Sequence, residues 1–160
     1  MDLNQTYRSF VLNVAQNKNI KNLVLTRGKG FSRRFVAGDT LQDALNAVDV
    51  LEQENIHGIL DLLGEMVTSE AQAKQFQKEI IELIQAFGAK PYPRYIALKL
   101  TQLGLDLSEN STFDLMKDIL SEAQKVSCFV RIDMEDSPRV EATLRIYKRL
   151  REEGFGNTGV

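Results

Sequence analysis

The sequence predicts an α/β fold whose parallel sheet is built from successive strand–helix units. Residues 128–137, CFVRIDMEDS, contain a strand-like apolar run, an acidic loop and a serine–proline pair typical of a helix start. Glu65, Lys99 and Asp133, each at the end of such a run, are separated by 34 residues. Each period holds one short apolar run and one long amphipathic stretch, so the repeat indicates βα units rather than helical hairpins.

Composition and charge narrow the class of protein. The 160 residues are 43% hydrophobic and 26% charged, which suits one globular domain with a core. The net charge of −2 indicates no general attraction to nucleic acid. The single cysteine, Cys128, excludes an internal disulfide. Residues 1–8 lack a signal-peptide pattern, and no apolar run reaches the roughly 18 residues of a membrane span. We therefore expect a cytoplasmic protein that binds no nucleic acid.

Residues 1–56 are predicted to form an N-terminal helical segment. Apolar residues follow a helical stripe from Leu3 to Val14, and a clearer stripe runs from Leu41 to Leu51 behind the capping residue Thr40. A basic cluster lies between them: Arg27, Lys29, Arg33 and Arg34. We interpret this cluster as a solvated face, with an anion site as the alternative, because the adjoining Gly-x-Gly lacks a third glycine and a preceding strand.

Residues 57–160 are predicted to form three βα units and the start of a fourth strand. Strands are expected at residues 58–65, at 94–101 and from residue 128, and the third should be buried on both faces. Helices are expected at residues 69–87, 111–126 and 137–153, the first with a capping box of Ser69 and Gln72. Residues 154–160 should form a loop and the first residue or two of the fourth strand.

Side chains alternate along a strand, so one face of this sheet should collect charge. The expected members of this charged cluster are Asp61, Lys99, Arg131 and Asp133. A barrel interior with charges near its mouth explains this pattern better than an open sheet does. Because isolated buried charges are costly, the four should pair. They either neutralise one another or also contact a ligand.

A metal site is an alternative interpretation of the acidic loop. Its carboxylates are Asp133, Glu135 and Asp136. Lys99 and Arg131 nearby would repel a cation. The single histidine, His57, precedes the first strand at the opposite end and is interpreted as structural. Cys128 begins its strand at that same end and is interpreted as a small buried hydrophobe.

Four segments of the sequence resemble monofunctional bacterial proline dehydrogenase. They are RFVAGD at residues 34–39, LLGE at 62–65, KLTQLG at 99–104 and RIDMEDS at 131–137. The resemblance covers essentially the whole chain. It implies a distorted (β/α)₈ barrel that binds FAD, oxidises L-proline to Δ1-pyrroline-5-carboxylate and passes electrons to quinone, with peripheral contact at the inner face of the membrane.

The resemblance also implies roles for particular residues. Lys99 resembles the lysine that helps to hold the proline carboxylate. Asp133 resembles the aspartate beside the flavin that orients the substrate-binding arginines, and Met134 would line the flavin pocket. Glu65 is similar to the glutamate that gates the site through an ion pair with an arginine. Catalytic roles are thus implied for Lys99, Asp133 and Glu65, cofactor contacts for Asp133 and Met134, and no metal.

The sequence departs from the family in length. Family chains are nearly twice as long, and their later strands and a Tyr-x-x-Arg-Arg helix, neither present here, supply most flavin and carboxylate contacts. The resemblance therefore implies an amino-terminal portion, a partial (β/α)₈ barrel of about three units, expected to be inactive alone. A non-catalytic α/β domain that self-associates through open sheet edges and a metal-dependent barrel enzyme are the alternatives.

Overall fold

A four-stranded parallel sheet with a helix after each of its first three strands forms the framework of the chain. A computed structural model describes residues 36–64 and 67–160, and the chain divides into two compact units, Met1–Ala47 and Val48–Val160. The elements are α1 (Leu41–Gln53), β1 (Ile59–Asp61), α2 (Glu70–Gly88), β2 (Arg94–Leu98), α3 (Glu109–Lys125), β3 (Cys128–Ile132), α4 (Val140–Glu152) and β4 (Thr158–Gly159).

Several sequence predictions lie outside the described residues. They concern the stripe from Leu3 to Val14, Glu65, and the basic cluster formed by Arg27, Lys29, Arg33 and Arg34. The division of the chain after residue 56 stays a prediction, because the described part of the amino-terminal segment begins only at Val36.

The strands follow one another in the order β1-β2-β3-β4, and every neighbouring pair is parallel. Each crossover between parallel strands passes through one of the helices α2, α3 and α4, as the βα repeat predicted. The short fourth strand, Thr158–Gly159, is also where the sequence placed it. The predicted α/β class and the parallel sheet are confirmed.

The core lies between one face of the sheet and the helices α2, α3 and α4. From the sheet it takes Ile96, Val130 and Ile132, each at most 1% exposed. The helices contribute residues spaced three or four apart, as one face of an amphipathic helix requires. They are Ile80, Ile84 and Phe87 of α2, Met116, Ile119 and Leu120 of α3, and Ile146 and Leu150 of α4. Burial of these side chains is the main stabilisation of the fold.

The prediction that β3 is buried on both faces is wrong. Cys128, Val130 and Ile132 are buried, but Phe129 and Arg131 between them are exposed. The reason is the side-chain alternation of a strand: one set packs on the helices, while the other points to a face that the described residues leave open.

Two strands are shorter than their apolar runs predicted. β1 ends at Asp61, and β2 ends at Leu98 because a 3₁₀ turn, Leu100–Leu103, follows at once. The backbone N–H of Lys99 donates to Oε1 of Gln102 at 2.9 Å instead of continuing the strand ladder. The side chain of Gln102, three residues on, therefore stops the strand.

Helix starts follow the predicted capping chemistry with small shifts. Ser69 caps α2 by accepting from the N–H of Gln72, but the Gln72 side chain bonds the N–H of Thr68, one residue before the predicted partner. Ser108 caps α3, so this helix begins two residues earlier than expected. Thr40 and Asp43 exchange bonds at the start of α1, where Thr40 was the expected cap.

The start of α4 differs from its prediction. Ser137 and Pro138 belong to a 3₁₀ turn, Ser137–Arg139, and the α-helix begins at Val140. Asp136 precedes the turn in an extended conformation, so Ser137 is not the cap of an α-helix. In α1, Leu45 and Val48 of the predicted apolar stripe are buried, whereas Leu41 and Leu51 are exposed.

Candidate functional site

The charged cluster predicted from strand alternation forms at the carboxyl ends of β1, β2 and β3. Lys99 Nζ lies 3.1 Å from Oδ2 of Asp61 and 3.5 Å from Oδ2 of Asp133. Arg131 Nε lies 3.2 Å from Oδ1 of Asp133. One ammonium, one guanidinium and two carboxylates are thus linked in a continuous series, so the cluster carries no net charge.

Sheet register explains why residues 34 positions apart meet. Leu98 is paired with Ile132, and the N–H of Asp133 donates to the carbonyl of Leu98 at 2.9 Å. The next residues along the two strands, Lys99 and Asp133, consequently lie side by side. Asp61 reaches the same place from β1, where it is paired with Ala97. A repeat in sequence becomes a cluster in space because parallel strands end at the same edge.

The cluster is only partly shielded from water. The side chains of Lys99 and Asp133 are 35% and 26% exposed. Burial acts to lower the pKa of Lys99, but the hydrogen bond to Asp61 and the charges of Asp61 and Asp133 outweigh it and hold that pKa above its usual value. Lys99 is therefore a fixed, fully protonated cation at neutral pH, with surface open to solvent.

Beside the charged cluster, the same sheet face carries an apolar row. Ile59, Tyr95 and Phe129 are paired across β1, β2 and β3, and they are 48%, 37% and 36% exposed. The Tyr95 and Phe129 rings lie 6.4 Å apart. Gly159 in β4 leaves room for the Phe129 ring, since an added Cβ would lie 3.0 Å from Cζ of that ring. The face thus combines an apolar surface with charges at one end.

Of the four predicted site residues, the structure brings Lys99 and Asp133 together. Met134 follows in the β3–α4 loop with 43% of its surface exposed. Glu65 lies outside the described residues.

Two buried polar residues of the strand-end loops, Thr101 and Gln102, are not among the site residues predicted from the sequence. Thr101 and Gln102 are 3% and 2% exposed, and both make side-chain hydrogen bonds to other strand-end loops. Their signal in the sequence is two polar residues inside the otherwise apolar run LTQLGL. Glu135, the partner of Thr101, enters the sequence predictions only through the metal-site alternative.

The carboxylates of the acidic loop are directed to separate partners. Glu135 accepts from the N–H and the hydroxyl of Thr101 at 3.2 and 2.6 Å. Asp136 pairs with Arg139 at 2.6 Å, and Asp133 pairs with Lys99. Within residues 36–64 and 67–160, no group of three or more His, Cys, Asp or Glu side chains is arranged to hold a metal ion. The metal-dependent alternative gains no support from this loop.

The histidine and the cysteine lie apart from the cluster. His57 Nδ1 is 2.9 Å from a carboxylate oxygen of Glu52, just before β1. Burial raises the pKa of the Cys128 thiol to about 11, against a smaller opposing effect of Arg94. A thiol in that state is a poor nucleophile at neutral pH, in keeping with the prediction of a small buried hydrophobe.

None of the helices in the described part of the chain is both long and apolar enough to cross a membrane.

Similarity to known proteins agrees with this geometry. Residues 44–159 match the family model described as Proline dehydrogenase. The chain is 36% identical over 152 residues to the proline dehydrogenase of Deinococcus radiodurans and 37% identical over 147 residues to proline dehydrogenase 1 of Bacillus subtilis strain 168. These alignments cover 92% and 91% of this chain and 49% of each relative. The chain spans about half the length of the curated relatives it matches.

A solved structure supports the fold. The crystal structure of proline utilization A (PutA) from Bdellovibrio bacteriovorus, inactivated by N-propargylglycine, matches with a TM-score of 0.73 at 20% identity. The match covers 83% of this chain and 16% of the PutA chain. The partial (β/α)₈ barrel predicted from the sequence is therefore confirmed. Because the family model covers residues 44–159 and the chain carries the expected sheet, this chain belongs to the proline dehydrogenase family.

Proposed function

We propose that the charged cluster is part of the substrate and flavin site of an enzyme that oxidises L-proline to Δ1-pyrroline-5-carboxylate, with FAD as cofactor. The observation that carries the proposal is the position of Lys99, a partly exposed cation held by Asp61 and Asp133 at the carboxyl ends of parallel strands. Active sites of barrel enzymes lie at this end of the strands.

Lys99 is suited to bind the carboxylate of proline. Its raised pKa keeps it charged, and its exposed surface can accept an anionic group without full loss of the contacts to Asp61 and Asp133. A fixed cation orients proline as well as binding it, because the carboxylate is attached to the same small ring as C5, the carbon that is oxidised together with the ring nitrogen when Δ1-pyrroline-5-carboxylate forms.

Asp133 is suited to orient the cations of the site. It contacts Lys99 and Arg131 at once, so it fixes the relative position of two positive groups. Without Asp133, Lys99 and Arg131 would each lose an ion-pair partner and be held less firmly. This arrangement is the geometric support for the role that the family resemblance implies for Asp133.

The residues around Lys99 supply part of a flavin site. Met134 presents a half-exposed thioether beside Asp133, and the apolar row of Ile59, Tyr95 and Phe129 lies on the same sheet face as Lys99. FAD, when bound, supplies the acceptor for the two electrons released from proline. Met134 and Asp133 would contact the flavin. Lys99 would bind the carboxylate of the substrate, and Asp133 would orient the cations of the site.

Three further parts of the proposal rest on the family resemblance. Glu65, outside the described residues, would gate the site through an ion pair with an arginine. Quinone would accept the electrons, with peripheral contact of the protein at the inner face of the membrane. The protein would otherwise be cytoplasmic.

The test is proline-dependent reduction of bound flavin in the natural protein that contains these 160 residues. L-Proline added without oxygen should bleach the flavin absorbance band, and a quinone analogue should restore it. D-Proline serves as the control, because it presents the same charges with the wrong geometry. A protein that holds stoichiometric flavin but shows no bleaching with L-proline would contradict the proposed activity.

A second candidate function is self-association without catalysis. The exposed row of Ile59, Tyr95 and Phe129 favours it, as does the position of β1 and β4 at the two edges of the described sheet. Such a chain would pair through its open sheet rather than turn over a substrate.

A further inference from the structure

Three strand-end loops are tied together by side chains that do not belong to the charged cluster. The loops follow β1, β2 and β3, and Lys99 lies in the second of them. The tie between the first two loops is made by Gln102, and the tie between the second and third by Thr101 and Glu135.

Gln102 fixes the backbone at Lys99. Its Oε1 accepts from the N–H of Lys99 at 2.9 Å, and its Nε2 donates to the carbonyl of Leu62 at 3.1 Å. At 2% exposure, its amide has little access to water. Both ends of one buried amide are therefore used to hold the residue before the turn against the loop after β1.

Glu135 fixes the turn that Lys99 precedes. One carboxylate oxygen accepts the hydroxyl of Thr101 at 2.6 Å, and the other accepts the N–H of Thr101 at 3.2 Å. Thr101 is 3% exposed, so its donors would be unsatisfied without this carboxylate. The pair also joins the Lys99 loop to the loop that carries Asp133 and Met134.

We propose that Thr101, Gln102 and Glu135 are positioning residues that hold Lys99 between Asp61 and Asp133. Lys99 has a long flexible side chain, and its ion pairs alone would fix it weakly at this exposure. The turn supplies a rigid base, so the ammonium occupies one place before a ligand arrives. The consequence for proline binding rests on the proposed function, but the placement of Lys99 does not.

The test measures the placement directly. Lysine side chains of the natural protein that contains these 160 residues are labelled by reductive ¹³C-methylation and titrated by NMR, with the Lys99 signal assigned by its loss in Lys99→Arg. In the unaltered chain, the Lys99 pKa should lie above that of the exposed lysines because of Asp61 and Asp133. Thr101→Val removes the hydroxyl donor without changing charge, and it should shift the Lys99 pKa toward that of the exposed lysines. Thr101→Ser restores the hydroxyl and should restore the shift.

Variants of Glu135 separate position from charge. Glu135→Ala removes both acceptors and should act as Thr101→Val does. Glu135→Gln removes the charge but keeps one acceptor, and it should retain much of the raised pKa. If Thr101→Val fails to fold, the comparison of Glu135→Ala with Glu135→Gln tests the proposal instead.

A matched control lies elsewhere on the chain. Lys117 pairs with Glu153 at 2.6 Å, and this contact raises its pKa. Glu153→Gln should lower the Lys117 pKa and leave Lys99 unchanged. An unchanged Lys99 pKa in both Thr101→Val and Glu135→Ala would overturn the proposal. An equal fall in Glu135→Ala and Glu135→Gln, with none in Thr101→Val, would overturn it too, since it would show a direct effect of charge. If the Lys99 pKa responds as expected but L-proline does not reduce the bound flavin, that result would count against the proposed function alone.

Discussion

At the scale of single residues, the candidate site depends on one cation with two anionic neighbours. Lys99 donates to Asp61 and is also within ion-pair distance of Asp133, which in turn contacts Arg131. An incoming carboxylate can compete for Lys99 only because about a third of that side chain, 35%, remains exposed. A fully buried network would stabilise the fold but leave nothing for a ligand.

Lys99→Met should weaken proline binding in the natural protein while flavin stays bound. Loss of a charged partner for the substrate carboxylate should cost about 2–4 kcal/mol of transition-state binding, which appears as a fall in kcat/KM through a raised KM. Lys125→Met is the control, because Lys125 pairs only with Glu122 on the α3 surface among the described contacts. Steady-state kinetics with unchanged kcat/KM would remove Lys99 from the site.

Asp133→Ala should abolish activity and lower stability. The stability loss should be about 1 kcal/mol, because Asp133 and Lys99 are both partly exposed and such pairs are weak. If the site were fully shielded from water, the loss of stability would be several times larger. Asp61→Ala, which removes the other partner of Lys99, should lower stability by a similar amount but spare flavin binding. Urea unfolding and flavin content measure the two effects, and a fully active Asp133→Ala variant would place this residue outside the site.

At the scale of elements, α3 and α4 are joined by ion pairs. Arg139 contacts Asp106 just before α3 at 2.6 Å, and Arg145 of α4 contacts Glu109 of α3 at 2.8 Å. Hydrogen bonds from these arginines hold the pKa of Asp106 and of Glu109 below their ordinary values. Arg149 also stacks on Phe113 of α3, with its guanidinium carbon 3.9 Å from the ring centroid.

Acid should therefore loosen the α3–α4 contact. A carboxyl group with a lowered pKa in the folded state contributes stability that is fully present above its ordinary pKa and is lost as the pH falls through the folded value. The unfolding free energy should thus start to decline as the pH drops past 4.5 for Glu109 and 3.8 for Asp106. Urea unfolding at a series of pH values measures this slope.

Variants test whether the ion pairs of Asp106 and Glu109 cause this decline of the unfolding free energy at low pH. Asp106→Asn with Glu109→Gln should flatten the acid decline, whereas Glu82→Gln on the exposed surface of α2 should leave it as it was. An unaltered slope in the double variant would show that other carboxyl groups dominate acid unfolding.

At the scale of the whole molecule, the sheet carries apolar side chains on both faces but has helices on only one of them among the described elements. The open face holds Ile59, Tyr95 and Phe129. A closed barrel would cover this face and leave no strand edges, whereas β1 and β4 are the edges of the sheet that the described residues form. Exposed apolar surface of this kind is typical of an interface.

The isolated 160-residue chain should consequently self-associate and bind no FAD. Size-exclusion chromatography with light scattering should show a mass that rises with concentration, without a flavin absorbance band. Phe129→Asp should reduce association, while Leu107→Asp, an exposed leucine in the β2–α3 connection, should not. A concentration-independent monomer with stoichiometric flavin would contradict both parts of this prediction.

Much of the fold follows from local pattern. The βα repeat, the parallel sheet, the caps Ser69 and Thr40 and the short fourth strand could all be predicted, because periodicity and capping depend on residues within a few positions of one another. The meeting of Lys99 with Asp61 and Asp133 could be predicted as well, since side-chain alternation and parallel register allow little else once the strands are placed.

Only the tertiary structure decided what depends on distant partners. Phe129 and Arg131 are exposed because burial of a strand face depends on what lies opposite it, and sequence hydrophobicity does not encode that. The turn that Lys99 heads is held against its neighbouring loops because Gln102 bonds to Leu62 and Thr101 bonds to Glu135. Polar residues in an apolar run signal such contacts, but their partners lie 34 to 40 residues away, and only the folded chain identifies them.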